Sequence, residues 1–323
     1  MERSKFSFRA VEAFVASVEG GSVTAAARRL GTSVSSVSLQ LSNLETALGV
    51  RLLERNAQRF ALTQAGETFH PRALRILDDV MSAGAAVSRS GSAARLVMKV
   101  AVIEDFDATV LPRWLSRLSD DLPGIRFRVQ SGPSHDNHTA LANRSVDMIV
   151  AVDFSDPVDW VEQHAVLRDP YVLAVASSAP EDPSLGDLMA MPFVRYSREL
   201  LMGRQIEAHL RRSQSVPPRG HEFSSNHAVL STVEALRGWT ITTATAYSSA
   251  AYKIGMRLLP LPFPAFSRTI SLHARRDALG DLPTEFAAAL RTILQSSLVQ
   301  PFANSHPRMT ETLGLRVIDA SNS

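Results

Sequence analysis

The chain has no cysteine. That absence excludes disulfides, thiolate metal clusters and thiol redox sensing, and it fits a reducing cytoplasm; a metal site would have to be built from histidines and carboxylates. Long apolar runs are missing too. The charged N-terminus (Glu2, Arg3, Lys5, Arg9) is not followed by the apolar core of a signal peptide, because Glu12 and Ser17 interrupt Val11 to Val18. The uncharged run from Gly238 to Tyr252 is full of Thr and Ser and too short to span a bilayer. The expectation is a cytoplasmic protein without membrane contact. Catalytic fingerprints are also absent: there is no G-x-S-x-G elbow, no Walker-type phosphate loop and no G-x-G-x-x-G turn. Ser224, Ser225 and His227 therefore support no hydrolase, and His135 and His138 in "HDNH" are too few to hold a metal. The reading is a non-enzyme with no cofactor and no metal.

What is present is an ordinary globular composition, 45% hydrophobic and 20% charged, over 323 residues, enough for about two domains. Its net charge of +2 is unevenly spread: residues 1–95 carry 12 Lys and Arg against 8 Asp and Glu, the remainder 22 against 24. A basic head on a slightly acidic body suits a polyanion partner for the head.

In the head, Phe8, Val11, Phe14, Val15 and Val18 fall at helical spacing before Gly20-Gly21. Ser22 can cap a second helix that buries Ala26, Ala27 and Leu30; Gly31-Thr32 makes the turn, and Ser33 can cap a third helix with the stripe Val37, Leu41, Leu44 and Leu48. Ser35, Ser36, Ser38, Gln40 and Asn43 lie off that stripe. A short helix, a tight turn and a longer helix with a polar first face describe a helix-turn-helix unit, whose second helix enters the major groove of double-stranded DNA. Short hydroxyl and amide groups there can touch base edges or phosphates. "GVRLLERNAQRFALT" follows as a two-strand wing carrying Arg51, Arg55 and Arg59 toward phosphate or a minor groove.

The stretch "VEAFVASVEGGSVTAAARRLGTSVSSVSLQLSNLETALGVRLLERNAQRFALTQAGE" resembles the LysR-type transcriptional regulators almost without gaps. The resemblance implies base reading from the start of the third helix, at Val34, Ser35, Ser38 and Leu39, with Thr32, Ser33, Ser36 and Gln40 beside them. The family often has Gln, Pro and Arg where this chain has Val34, Ser35 and Leu39. From Thr63 one long helix follows, with Ala73, Leu77, Val80, Gly84 and Val87 on a heptad-like seam. The resemblance implies that this helix pairs two chains across operator half-sites, in a dimer or homotetramer, with RNA polymerase as a further partner of an activator. Packing of the helix on its own body is the alternative. Pro71, which lacks a backbone donor, is expected to kink or delay the helix.

From Leu96 short β runs alternate with helices, implying a mostly parallel sheet. "LPRWLSRLSDDLPGIRFRVQSG" resembles the first half of the LysR-type effector domain. The expected chain is thus α/β and multi-domain: a winged helix-turn-helix over residues 1–62, a linker helix over 63–92, and a two-lobed effector domain of the periplasmic-binding-protein-like type 2 class over 93–303. Lobe I would take about 93–168 and 272–303, lobe II about 169–271, and 304–323 would be a tail without assigned function.

Two lobes joined by two crossings place a small-molecule effector where strand ends and helix starts converge. The first candidate wall is Ile103, Glu104 and Asp105, although these acids can equally cap the next helix; the second is Gln130, Ser131 and Gly132. The third is Arg195, Tyr196, Ser197, Arg198 and Arg204, where arginines offer bidentate contact to a carboxylate. Thr242 and Thr243 complete a polar rim, with Ser224 to Asn226 before a helix. This set points to an organic acid or amino-acid-like effector, with Arg195 as the first choice of anion contact, although the alternation of "FVRYS" can equally turn Arg195 outward and leave Tyr196 and Ser197 inside. A ligand-independent DNA-binding protein, or a solute-binding or enzymatic protein on the same two-lobed fold, is the competing reading.

Overall fold

The computed structural model describes residues 6–54, 61–87, 96–218, 220–250, 256–307, 309 and 314–319. It divides into two compact units, Met1–Leu96 and Val97–Ser323.

In the first unit, α1 (Phe8–Gly20) starts at Ser7, whose side chain accepts from Ala10 N, and stops at Gly21 in the left-handed region. Next, α2 (Val23–Arg29) is capped by Ser22. Then α3 (Val34–Leu48) is capped by Ser33 and ended by Gly49 at φ +70°. These caps satisfy amides and carbonyls that short helices leave unpaired. The three helices bury one core around Val11, Phe14, Ala26, Val37, Leu41 and Leu44. Among the described residues of the wing, Leu53 and Leu62 form an antiparallel bridge. The base of the wing is pinned by Glu45, which accepts from Leu52 N at 2.7 Å and Leu53 N at 3.1 Å.

Helix α4 spans Gln64–Val87 with Pro71 inside it, so the proline does not delay its start. The expected seam needs correction at its near end. Ala73 is wholly buried in the core of the head, and Leu77 packs against that same core. Val80 is exposed. The side chains of Gly84 and Val87 lie outside the described residues.

The second unit opens with β1 (Leu96–Val102), a 3-10 turn at Glu104–Phe106, α5 (Leu111–Asp121), β2 (Ile125–Ser131), α6 (Ser134–Ala142) and β3 (Met148–Val152). A long strand, β4 (Val161–Ala176), leads to α7 (Leu185–Ala190), β5 (Arg195–Tyr196), α8 (Leu201–Arg212), β6 (Glu222–Phe223), α9 (Asn226–Ala235), β7 (Trp239–Thr243), α10 (Ala244–Ser249) and β8 (Met256–Leu259). The chain returns through β9 (Ser267–Arg275) to α11 (Leu282–Leu294), a π turn, α12 (Gln300–Ser305) and β10 (Arg316–Val317). Strands run in the order β10-β4-β9-β3-β1-β2, and β7 and β8 also pair with β4. The first part of β4 pairs with β9 as far as Pro170 opposite Ser267; from Tyr171 onward it pairs with β7, and from Leu173 also with β8. One strand thereby enters both lobes, and the return strand lies beside it. Within the tail, Arg316 and Val317 pair antiparallel with Arg168 and Leu167 of β4.

All three tryptophans, Trp114, Trp160 and Trp239, stand in this unit, so its unfolding has its own fluorescence signal. Within it His273 on β9 is fully buried. Burial, reinforced by His138, pushes its imidazole down to about 3. An unfolded histidine takes up its proton below about pH 6.5, so the unfolded chain binds a proton that the folded one refuses. Stability therefore falls as pH drops through the window between those values, by roughly 1.4 kcal/mol per pH unit from this group. Urea unfolding followed by tryptophan fluorescence should show that slope in the wild type and a flatter one in His273→Leu.

Candidate functional site

The exposed start of α3 presents Val34, Ser35, Ser38 and Leu39, preceded by exposed Thr32 and Ser33; Ser36 and Gln40 are half-buried. Ser33 Oγ accepts from Ser36 N at 3.2 Å and lies 2.9 Å from Ser35 Oγ. Gln40 Oε1 accepts from Ser7 Oγ at 3.2 Å. Arg51 is exposed, and its carbonyl accepts from Thr63 Oγ1 at 2.7 Å. Arg55 and Arg59 lie outside the described residues.

In the second unit a cleft of about 540 Å³, open mouth included, separates the lobes, within the size range of sites for small metabolites. One wall is Ile103, Glu104 and Asp105 with Gly132–Ser134; the facing wall is Leu200–Met202 with Ser224 and Asn226; Val152 and Arg268 also line it. Gly132 is placed by its N–H, which donates to Val102 O at 3.1 Å and ties the end of β2 to β1.

A buried charge network forms the base of this cleft. Arg268 donates from Nη2 to Asp105 Oδ2 at 2.5 Å and to Thr243 Oγ1 at 3.1 Å, and from Nε to Asp169 Oδ2 at 2.9 Å. Thr245 N donates to the other oxygen of Asp169 at 3.1 Å. Across the cleft Asn226 Nδ2 donates to Asp105 Oδ1. Burial lowers the Arg268 guanidinium, but Asp169 and Asp105 outweigh it and hold the group above its ordinary range. Burial pushes the Asp169 carboxyl up against the opposing pull of Arg268. Glu104 is raised by burial and by the neighbouring Asp105 and Asp107. Two buried acidic side chains thus face one guanidinium at the base of the cleft, with a third, Glu104, beside them.

Of the expected effector contacts, Ile103, Glu104, Asp105 and Gly132 line the cleft, and Thr243 touches its arginine. The others need correction. Arg195 lies on β5 with its guanidinium donating to Pro217 O at 3.0 Å and resting over the Phe193 ring. Arg198 pairs with Glu207, and Arg204 donates to the carbonyls of Arg198 and Glu199. None of these arginines reaches the cleft, because Val194 and Tyr196 take the buried positions on either side of Arg195 and the loop turns its cations outward. Tyr196 and Thr242 bond each other at 2.8 Å inside lobe II, and Ser197 Oγ accepts from Glu199 N at 3.2 Å. Gln130 is exposed on β2, and Ser131 donates to Asp107 at 2.5 Å. The cation that does reach the cleft, Arg268, escaped sequence reasoning together with Asp169.

His138 is engaged by the Val152 carbonyl at 2.8 Å and stacked on Phe154. Among the described residues no group of three or more His, Asp or Glu is placed to hold a metal ion, and no helix is long and apolar enough to cross a membrane.

A helix-turn-helix head followed by a two-lobed α/β unit with a cleft between its lobes defines a class of chain that couples a nucleic-acid-binding fold to a ligand-binding fold. Residues 8–67 match the bacterial regulatory helix-turn-helix protein, lysR family, and residues 92–295 match the LysR substrate binding domain. The chain belongs to the LysR family. It is 28% identical over 168 residues to the uncharacterized HTH-type transcriptional regulator YfeR of Shigella flexneri, covering 52% of this chain and 54% of that one. It is 31% identical over 172 residues to a probable hydrogen peroxide-inducible genes activator of Mycobacterium leprae, covering 53% and 54%. The chain spans about half the length of these curated relatives it matches. Among solved structures, full-length CbnR complexed with its target DNA aligns at TM-score 0.64 and 22% identity, covering 89% of this chain and all of that one. A point variant of full-length OxyR from Pseudomonas aeruginosa aligns at TM-score 0.66 and 18% identity, covering 89% and 95%.

Proposed function

We propose that this protein is a sequence-specific DNA-binding transcriptional regulator controlled by a small molecule bound between the lobes of its second unit. The observation that carries the reading is the pairing, in one chain, of an exposed α3 face with a cleft whose polar and charged groups come from both walls and the crossing strands. The head faces DNA with α3, and the exposed side of α4 that includes Val80 joins two copies in a dimer or homotetramer.

The chemistry of the cleft shifts the effector class. A carboxylate ligand needs an available cation, and Arg195, Arg198 and Arg204 face elsewhere. Arg268 is already committed to two carboxylates. Glu104 and Asp105 favour a hydrogen-bond donor, an amine or a hydroxyl, while Ile103, Leu201 and Met202 suit a small apolar body. Peroxide induction is named for the Mycobacterium leprae relative; this chain has no cysteine, so its own sensing does not pass through a thiol. The test is calorimetry on the full chain with short alkyl amines, amino alcohols and the carboxylates of the same carbon skeletons. An amine or amino alcohol should bind, and Glu104→Gln should weaken it roughly tenfold through loss of a charge-assisted bond. A ligand that binds Met202→Trp as well as the wild type would move the site out of the cleft, and carboxylates binding in place of amines would reverse the charge argument.

A further inference from the structure

Along its whole length, Val34–Leu48, helix α3 carries no lysine and no arginine. Its one charged residue, Glu45, is spent on the amides of Leu52 and Leu53. Bidentate reading of guanine requires a guanidinium or ammonium group, which this helix does not own. Bidentate reading of adenine requires both ends of a side-chain amide; of the two amides on this helix, Gln40 has its oxygen engaged by Ser7 and Asn43 lies beyond the first two turns. What the first two turns offer instead is aliphatic. Leu39 is 60% exposed and Val34 45%; no other large apolar side chain among the described residues is as exposed as Leu39. With Ser35 and Ser38 they occupy helix positions one, two, five and six, which share a face.

Isolated exposed leucines are common and need no explanation. Two aliphatic groups and two hydroxyls on the groove-entering face of a helix without cations are different, because one major-groove feature is apolar: the C5-methyl group of thymine. Hydroxyls accept or donate and so tolerate any base pair beside it.

We propose that Leu39 and Val34 read thymine methyl groups in the major groove, so that this helix discriminates by apolar contact rather than by charge. The inference rests on the DNA-binding reading above. Sequences enriched by the full chain from a random duplex pool should share thymines in each half-site. Replacing those thymines with uracil removes the methyl group alone, and should weaken binding roughly fourfold for each methyl that an aliphatic side chain covers. Leu39→Ala should bind thymine and uracil duplexes alike at the position Leu39 reads, with the affinity for the uracil duplex close to that of the wild type. Unchanged wild-type affinity after uracil replacement at every shared thymine overturns the proposal while DNA binding stands, as does a Leu39→Ala protein that keeps the full thymine preference. A pool from which no sequence is enriched overturns the DNA-binding reading itself, and this proposal with it.

Discussion

Gly66→Ala is expected to abolish DNA retardation by the full chain while leaving the tryptophan-monitored unfolding of the second unit where it was. A Cβ at position 66 would stand 2.1 Å from the carbonyl oxygen of Leu52 and 2.9 Å from Leu62 Cδ2. The first of these is backbone with nowhere to go. Leu52 is buried in the head core, its N–H donates to Glu45 Oε1 at 2.7 Å, and its oxygen accepts from Thr63 N at 3.0 Å. Gly66 N in turn donates to Thr63 Oγ1 at 3.0 Å, so the start of α4 cannot back away without giving up its own cap. Exchanging Gly for Ala inside a helix normally gains about 1 kcal/mol in propensity. Overpacking against fixed backbone costs about 3 kcal/mol, and more where nothing relaxes, so the clash wins. The loss should be seen by circular dichroism as a head that melts early. A Gly66→Ala protein that retards DNA like the wild type would mean that the joint between wing and α4 is slack.

The three head helices were legible because their signals are local. Ser22 and Ser33 cap the helices they precede and Gly21 ends the first in the left-handed region, whereas Leu30, expected in the core, is exposed past the end of α2. The seam of α4 was harder, since the same apolar residue satisfies either a partner helix or the head core; Ala73 went to the core. In the second unit the ends of β1 and β2 were found by the strand-helix alternation, and with them Ile103, Glu104, Asp105 and Gly132. The alternation of "FVRYS" left Arg195 either inward or outward, because a two-residue strand gives alternation nothing to repeat; the structure takes the outward choice, with Tyr196 and Ser197 buried.

The sequence around Arg268 carries a signal of its buried place. Positions 268, 270, 272 and 274 are all buried on β9, and period-two alternation sets an arginine on the same face as Ile270, Leu272 and Ala274. A cation on the buried face of a strand requires buried acids, and the sequence alone does not say which of the 32 acidic residues supply them. Asp105 and Asp169 stand 163 and 99 positions away, a distance that only the tertiary fold closes.

That network supports the second large expected effect. Arg268→Met should destabilise the second unit by about 3–5 kcal/mol, the usual cost of removing one partner from a buried ion pair. Methionine fills most of the volume, so the loss measures the carboxylates left behind rather than a cavity. Asp169, which burial already pushes up, then loses the guanidinium that opposes that shift and keeps Asp105 beside it, so it becomes easier to protonate than in the unfolded chain. The pH sign follows: a carboxyl whose folded pKa lies above its unfolded value gives the fold an advantage as pH falls. The deficit of Arg268→Met relative to the wild type should therefore shrink on acidification from about pH 7 toward about pH 4. Adding Asp169→Asn to Arg268→Met removes one of the stranded charges and should recover part of the stability at neutral pH, since neutral replacement of a whole buried ion cluster is often tolerated. Urea unfolding followed by tryptophan fluorescence measures all three proteins. Equal stability of Arg268→Met and the wild type, or a deficit that grows on acidification, would mean that water reaches the carboxylates and that the cleft floor carries no desolvated charge for an effector to meet.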